Sequence, residues 1–431
     1  MSYLKEALIE IEGDTIIFDH IAGNPEIDWV DIVSIPQRPS NANTLFVASH
    51  SKGEGGWDHG FDRRPYAVNA ATENNWHLIV DETVDAKETN HIQVRSIDEF
   101  SKKLYEAARS TTNPYVIGVT GSVGKTTTIA FMEHLLKTSN IDVTRFYSKR
   151  LSPLSVMTHY INRINKDTSV IVMEYSAYLK NHISQLSNLL PPDISFLLNI
   201  YNTHIAEGLF KNQHEIFDSK IRIKPPLGIG FVNQKILDNL EKDIPSGWNS
   251  FNLNIPDFST NKYLPPTLRS TELYTAGMIL AKEMNLSENK AEEAYASFVP
   301  QEHRIDICEF NDKNIFFHGE TSGGSRLLSW FETPDKSVPW MFVEEINFAE
   351  ENPQGFKDLL VKVFNSDKTF ILDTPSNREK LPVNANFVSN QKFEDLLKKS
   401  TGYIVYHKGL SSRRDDFNPT TYLKQRWNLS N

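Results

Sequence analysis

The chain has 431 residues, of which 39% are hydrophobic and 23% are charged, a composition typical of globular proteins with about two to four domains. Its formal net charge of −10 argues against nucleic acid or an anionic membrane as the main partner. One cysteine, Cys308, is present and can form no internal disulfide, which fits a reducing compartment. No apolar run approaches the roughly 20 residues of a membrane helix, and no signal-peptide pattern begins the chain. We therefore predict a cytoplasmic protein with no membrane and no nucleic-acid partner.

The first part of the chain alternates short strand-like runs with polar connections. Residues 15–18, 44–48 and 77–80 are rich in apolar and β-branched side chains, and Gly/Asn-rich segments separate them. A helical pattern over residues 97–108 ends this part. We predict a compact α/β substrate-binding domain over residues 1–110.

The most informative stretch is residues 115–128, with the sequence YVIGVTGSVGKTTT. It predicts a strand, a phosphate loop and a helix in that order. Gly121 and Gly124 let the backbone approach phosphate oxygens, and the helix N-terminus near Lys125 adds a partial positive charge. Lys125 can reach the β- and γ-phosphates, and the Thr126 hydroxyl can hold Mg²⁺. The alternative is a glycine turn with a chance Gly-Lys-Thr, which the flanking strand and helix disfavour.

Polar side chains end the next strands of this part. Residues 169–173, 194–198 and 229–232 are continuous apolar runs, as expected of parallel strands covered on both faces. Open parallel sheets bind ligands at the carboxyl ends of their strands. The polar residues at or just after those ends are Glu174, Asn199, His204 and Asn233. Each alone also fits a helix-end charge, a turn former or a hydrogen-bonded loop histidine, but together they predict a metal and nucleotide site.

A third pattern, again of the α/β type, begins near Arg304. A helical stretch over residues 354–364 lies among its strand-like runs. Those runs are residues 315–317, 340–343, 369–372 and 403–406.

The loop over residues 120–128 resembles that of the Mur ligases and folylpolyglutamate synthetases, ATP-dependent enzymes that join an amine to a carboxylate. Val119 replaces the first glycine of the general phosphate-loop pattern. The resemblance to Mur ligases covers all three parts and implies an α/β protein of three domains. A central parallel-sheet ATPase domain over 111–302 lies between the N-terminal domain and a Rossmann-like C-terminal domain over 303–431. It also implies ATP-binding residues, namely Thr120, Gly121, Ser122, Gly124, Lys125, Thr126, Thr127, Asn233 and Arg304.

The same resemblance implies metal ligands and catalytic residues. In Mur ligases a glutamate ends the strand after the loop helix, an Asn-x-x-x-x-His segment follows the next strand, and a later lysine becomes carbamylated. Two Mg²⁺ ions are implied here, with ligands Thr126, Glu174, His204 and the carbamate of Lys220. The implied catalytic residues are Lys125, Asn199, His204 and Lys220. From spacing alone Lys220 fits a solvated helix lysine, and only the resemblance assigns it the carbamate.

Several substrate-reading motifs depart from the family pattern. Pro36-Gln37-Arg38 stands where the branches that add the third amino acid or the terminal dipeptide carry Asp-Ser/Thr-Arg, and Asp58-His59-Gly60 reorders an Asp-Gly-His motif. The C-terminal segment over residues 317–324 lacks the usual aspartates and Tyr-Asn. We therefore expect a carboxylate substrate other than the standard late UDP-muramoyl peptide.

The sequence thus predicts an ATP-dependent, ADP-forming amide ligase that works through an acyl phosphate. Its partners would be a small-molecule carboxylate and an amine, either an amino acid or a dipeptide, and it would be a monomer or weak homo-oligomer. One alternative is the same chemistry on a carboxylate outside peptidoglycan. Another is a regulatory protein that binds ATP and has lost the amine site.

Overall fold

A computed structural model shows an α/β protein with three separate β-sheets. The residues it describes are 16–19, 27–35, 43–52, 57–58, 60–87, 89–147, 151–176, 179–203, 205, 209–300, 305–318, 329–334, 339–346, 363, 366–381, 385–409 and 417–430. Among these residues, no helix is both long enough and apolar enough to cross a membrane.

The first sheet has five strands in the order β1-β5-β4-β3-β2. They are β1 (Ile16–Asp19), β2 (Trp29–Asp31), β3 (Thr44–Val47), β4 (His77–Val80) and β5 (His91–Val94). Strands β2 to β5 pair in parallel, and β1 pairs antiparallel to β5. The described residues of this part include the helices α1 (Ala67–Asn74) and α2 (Ile97–Ser110). Helix α2 begins where the Ser96 hydroxyl accepts a hydrogen bond from the Glu99 amide, so a local cap sets its start.

The second sheet has six strands in the order β11-β10-β9-β6-β8-β7. They are β6 (Tyr115–Thr120), β7 (Val143–Phe146), β8 (Val170–Glu174), β9 (Ile194–Leu197), β10 (Ile229–Asn233) and β11 (Trp248–Phe251). All side chains of β9 are buried, as the continuous apolar run predicts. The helices of this part are α3 (Lys125–Thr138), α4 (Pro153–Arg163), α5 (His182–Leu189), α6 (Gln213–Lys220), α7 (Gln234–Leu240), α8 (Leu268–Glu283) and α9 (Glu288–Ser297).

The third sheet has six strands in the order β12-β13-β17-β14-β15-β16. They are β12 (Asp306–Phe310), β13 (Lys313–His318), β14 (Trp340–Val343), β15 (Thr369–Leu372), β16 (Phe387–Val388) and β17 (Ile404–His407). Only β12 is antiparallel to its neighbour among the described pairs of this sheet. The described residues of this part include the helices α10 (Pro375–Lys380), α11 (Asn390–Lys399) and α12 (Pro419–Trp427). Aromatic side chains such as Phe393, Tyr406 and Trp427 fill its core.

Every strand predicted from an apolar run is present, within one or two residues of the predicted bounds. Strands that the pattern missed are short or mix polar with apolar side chains. In β7, for example, Thr144 and Arg145 are only partly buried, and β11 reads Trp-Asn-Ser-Phe. The helix predicted over residues 354–364 falls, apart from Val363, outside the described residues.

The phosphate-loop region packs with later parts of the chain. One compact unit contains residues 119–140, residues 196–220 and the described residues of 230–431. The domain boundaries at residues 110 and 302 stay predictions.

Candidate nucleotide site

The loop between β6 and α3 has the geometry of a phosphate loop. Gly124 has a φ of +84°, a left-handed conformation that side chains with a Cβ rarely adopt, and it caps the N-terminus of α3. Lys125 begins this helix, and its Nζ donates to the Ser122 carbonyl oxygen at 3.3 Å. Thr126 and Thr127 lie in the first turn and are partly buried. The loop therefore presents glycine backbone and a lysine amine at a helix N-terminus, the arrangement that binds phosphate elsewhere.

Asn199, just after β9, holds this loop in shape. Its Oδ1 accepts hydrogen bonds from the amides of Ser122 at 3.1 Å and Val123 at 2.9 Å. Its Nδ2 donates to the Val123 carbonyl at 2.9 Å and to Glu272 at 2.8 Å. A Cβ on Gly121 would lie 3.4 Å from the Asn199 amide nitrogen, so the loop and the end of β9 are in close contact. These contacts give Asn199 a positioning role, and its predicted catalytic role stays a prediction.

Glu272, on α8, is the buried acid of the site. Its carboxylate accepts from Asn199, from the Asn233 amide at 3.3 Å and from the Arg269 guanidinium one helical turn earlier. Burial raises the pKa of Glu272 to about 7, although Arg269 and the Asn199 hydrogen bond act in the opposite direction. Asn233 also donates to the Leu198 carbonyl at 2.9 Å, and its Oδ1 caps α7. Asn233, one of the predicted ATP-binding residues, is thus linked to the phosphate loop through Glu272 and Asn199.

Arg269 lies between the loop and a second carboxylate. Its Cδ is 3.8 Å from where a Cβ on Gly124 would stand, and its guanidinium lies over the Tyr201 ring at 5.1 Å. Glu332 accepts from Arg269 at 3.3 Å, from Lys235 at 3.3 Å and from the Tyr201 hydroxyl. A pocket of about 360 Å³, which includes its open mouth, is bordered by these side chains. Its polar lining residues are Asn199, Tyr201, Gln213, Asn233, Lys235, Asn239, Arg269, Glu272 and Glu332.

Lys220, the last residue of α6, also reaches the phosphate loop. The side chain is buried, with the residue only 3% exposed, and its Nζ donates to the Gly121 carbonyl oxygen at 3.0 Å. The interpretation of Lys220 as a solvated helix lysine is therefore wrong. Its carbamylation stays a prediction.

The remaining predicted ligands are placed only in part. Glu174 ends β8 and accepts a hydrogen bond from the Ser176 hydroxyl at 2.6 Å. His204 and Arg304 lie outside the described residues, as do Pro36-Gln37-Arg38, His59 and most of 317–324. Within the ranges that the structure describes, no three His, Cys, Asp or Glu side chains gather as a metal site.

The structure adds residues that the sequence patterns did not reveal, namely Tyr201, Lys235, Arg269, Glu272 and Glu332. For Arg269 and Glu272, the sequence does contain a charge pair at helical spacing. Arg269 and Glu272 form an i,i+3 charge pair on a helix whose neighbouring side chains, such as Thr271 and Ala276, are buried. A charge pair on the buried face of a helix is uncommon and can be recognised as a candidate site.

Comparisons with known proteins show which proteins the chain is similar to. Residues 119–253 match the family model described as the Mur ligase middle domain. The chain is 28% identical over 228 residues to the UDP-N-acetylmuramoylalanine–D-glutamate ligase of Lawsonia intracellularis. That alignment covers 50% of this chain and 46% of the relative, so it spans a little under half of that protein.

Solved structures resemble the chain over nearly its whole length. MurF from Acinetobacter baumannii superposes with a TM-score of 0.68 at 15% identity, covering 96% of both chains. MurF from Thermotoga maritima in complex with ADP also gives 0.68, at 16% identity, over 90% of this chain and 95% of that one. These matches confirm the resemblance stated from the sequence, and they show that the chain has the three-domain Mur ligase fold.

Proposed function

We propose that this chain, which carries a Mur ligase middle domain in a three-domain Mur ligase fold, is an ATP-dependent, ADP-forming ligase that joins an amine to a carboxylate. The observation that carries the proposal is the phosphate loop braced by Asn199. Both polar atoms of the Asn199 amide hold the loop backbone, so the loop is shaped before nucleotide binds. A loop held in this way positions Lys125 and the N-terminus of α3, so that they can stabilise charge on a transferring phosphoryl group without reorganising during the reaction.

The residues of the loop have separate tasks in this proposal. Thr120, Gly121, Ser122 and Gly124 form the loop that would surround the phosphates, with the Ser122 amide held by Asn199. The N-terminus of α3 adds about half a positive charge. Lys125 supplies a cation to the β- and γ-phosphates. Asn233 contacts the base, and Arg304 contacts the nucleotide from the C-terminal part.

The chemical step proposed is activation of the substrate carboxylate. A carboxylate oxygen attacks the γ-phosphorus, the bond from that phosphorus to the bridging oxygen breaks, and ADP leaves. The amine then adds to the acyl phosphate carbonyl, and inorganic phosphate leaves as the amide forms. Lys125 lowers the barrier by stabilising charge that builds up on the transferring group. Exclusion of water from the site would protect the acyl phosphate from hydrolysis.

Mg²⁺ is the metal ion proposed to accompany the nucleotide. The Thr126 hydroxyl and the Glu174 carboxylate are hard oxygen ligands, which Mg²⁺ prefers, and His204 is the further ligand that the resemblance assigns. When bound, the ion would neutralise phosphate charge. For a second ion, a carbamate on Lys220 would replace a cationic amine with an anionic oxygen ligand.

Two substrate classes follow from different observations. The relatives' names point to UDP-muramoyl peptides and to amino-acid or dipeptide amines. The altered N-terminal motifs at residues 36–38 and 58–60 favour another small-molecule carboxylate. Because those motifs fall largely outside the described residues, a binding experiment decides between them.

Substitution of Lys125 by Ala tests the nucleotide site. We expect Lys125→Ala to lose ADP formation by about 10²- to 10³-fold, since one preorganised donor to a transferring group is worth about 3 to 4 kcal/mol. The matched control is Lys137→Ala, at the exposed end of the same helix, where the lysine pairs with Glu133. ADP formation in both folded variants is measured with candidate carboxylate and amine pairs. Near-normal turnover by Lys125→Ala would remove the ATP-site assignment.

A further inference from the structure

Glu332 belongs to the part of the chain that carries the third sheet, yet its carboxylate lies in the nucleotide pocket. Three groups from the central part bind it: the Tyr201 hydroxyl, the Arg269 guanidinium and the Lys235 amine. Its side chain is 25% exposed, so water screens these ion pairs only in part. Burial raises the pKa of Tyr201 well above 10; Arg269 acts in the opposite direction and the Glu332 carboxylate in the same one, so the phenol stays a donor.

The backbone holds Glu332 in the same place. The Leu268 amide, in the first turn of α8, donates to the Glu332 carbonyl oxygen at 2.6 Å. Arg269 is the next residue along that helix. Side chain and main chain of Glu332 are therefore both bound to one short segment, and a movement of residue 332 would release both sets of contacts together.

The groups that bind Glu332 are also those that an incoming nucleotide would meet. Arg269 packs beside Gly124 of the phosphate loop, and Lys235 and Tyr201 line the pocket next to Asn233. Arg269 already pairs with Glu272 on its other side. A second carboxylate on Arg269 and Lys235 neutralises the positive charge that would otherwise attract an anionic ligand.

We propose that Glu332 competes with the nucleotide: its carboxylate, bound to Arg269 and Lys235, takes the place that an anionic group of the ligand would occupy. The inference rests on the proposed function, because it assumes that this pocket and the phosphate loop bind one nucleotide. Nucleotide binding then displaces Glu332 and frees its segment from α8. The measured association constant is then the intrinsic one multiplied by the fraction of molecules in which Glu332 has moved away.

The test compares Glu332→Gln with wild type by calorimetric titration with ADP and Mg²⁺. If the Glu332 carboxylate is bound to Arg269 and Lys235 in about nine-tenths of molecules, its replacement by an uncharged amide should lower the ADP Kd about tenfold. The matched control is Glu309→Gln, which removes a carboxylate from an exposed pair with Lys262 and should leave the Kd unchanged. Raised salt should lower the ADP affinity of the wild type less than that of Glu332→Gln, because it also screens the competing carboxylate.

The outcomes separate this inference from the proposed function. An unchanged Kd in Glu332→Gln, with Lys125-dependent ADP binding in the wild type, would overturn the inference alone. Weaker binding would overturn it too and make Glu332 a direct ligand, for example of ribose hydroxyls. Absence of ADP binding in the wild type and in Glu332→Gln would overturn the proposed function as well.

A second measurement tests the displacement of Glu332 without relying on a change in ADP affinity. Hydrogen exchange at the Leu268 amide reports whether Glu332 still accepts its bond. ADP should speed this exchange in the wild type while it protects the phosphate-loop amides. Protection of both regions by ADP would contradict the displacement.

Discussion

Glu272 lies at the centre of the hydrogen-bond network beside the phosphate loop. It is an acid whose pKa in the folded protein, about 7, lies above its ordinary value of 4.5, and burial is the main cause. The polar and charged groups that face it are Arg269, Asn199 and Asn233, with Glu332 and Lys235 beyond them. Between pH 4.5 and 7 the unfolded chain releases this proton while the folded chain keeps it. The free energy of unfolding therefore falls as pH rises through this window.

Glu272→Gln should remove that pH dependence. At 1.36 kcal/mol per pKa unit, wild type should lose about 2 to 3 kcal/mol of stability relative to the variant between pH 5 and pH 7.5. Urea unfolding at the two pH values gives, for each protein, the change in the free energy of unfolding between them. Comparing this change in wild type and variant cancels any effect of the substitution that does not depend on pH. Glu309→Gln is the control. Identical pH dependence in wild type and Glu272→Gln would contradict the raised pKa.

Lys220 is the second residue whose chemistry depends on burial. An amine that is 3% exposed and bonded to the Gly121 carbonyl lies at the phosphate loop, where a carbamate would carry negative charge. A buried anion there is stable only if cations bind it. Carbamylation should accordingly require both bicarbonate and Mg²⁺.

We expect ¹³C-bicarbonate with Mg²⁺ to give a carbamate NMR signal in the wild type that is absent from Lys220→Ala. The variant should lose ligase activity and recover part of it when a short-chain carboxylate is added. Lys242→Ala serves as control, because Lys242 lies on the surface and pairs with Asp218 at 2.9 Å. Full activity of Lys220→Ala would exclude the second metal site as proposed.

At the scale of elements, the packing of α8 against α3 holds Arg269 and Glu272 next to the loop. Gly277 permits this packing, because a Cβ there would lie 2.3 Å from Cε1 of Phe131 on α3. The Phe131 ring is fully buried and lies edge-on to Tyr295 and Phe298, with centroids 6.3 and 5.4 Å away.

Gly277→Ala should therefore destabilise the protein, although the same change in an exposed helix stabilises by about 1 kcal/mol. Overpacking of a tight core typically costs about 1 to 3 kcal/mol, and here it outweighs the gain in helix propensity. Thermal unfolding measures stability, and ADP titration should show weaker binding because α8 shifts away from the loop. Lys282→Ala, at the exposed end of α8, should change neither. A more stable Gly277→Ala would show that the contact relaxes easily.

At the scale of the whole molecule, the proposed nucleotide site and the proposed substrate motifs lie in different parts of the chain. The phosphate loop, its brace and its pocket lie in the compact unit formed around residues 119–140, 196–220 and 230–431. The motifs that would read a UDP group lie in the first 110 residues. Changes in those motifs can alter the substrate while leaving the ATP site intact.

Titration with UDP-N-acetylmuramoyl dipeptide and tripeptide tests the substrate prediction. A UDP site that lacks two or three hydrogen-bond partners loses about 1 to 3 kcal/mol for each. At about 1.4 kcal/mol per tenfold, we expect the Kd to lie in the millimolar range. ADP binding in the same samples shows that the protein is intact. Micromolar binding of either peptide, with amine-dependent ADP release, would instead assign the chain to ordinary cell-wall synthesis.

The sequence alone was sufficient for the fold class, most strands and the phosphate loop. These features are local: an apolar run specifies a buried strand, and Gly124 followed by Lys125 specifies a left-handed turn into a helix. Periodicity within a few residues carries this information. Periodicity did not predict short mixed strands such as β7 and β11, because their partners in the sheet, and not their own sequence pattern, stabilise them.

Only the tertiary structure showed how the loop is held and what shares its pocket. Asn199 and Glu272 are 73 positions apart in the chain, and Tyr201 and Glu332 are 131 apart. No local pattern relates such residues, because their contact depends on the strand order and on the packing of α8 against α3. Burial is likewise a property of the whole fold. It makes Glu272 an acid that titrates near pH 7 and brings Lys220, which the sequence alone would place in solvent, to the phosphate loop.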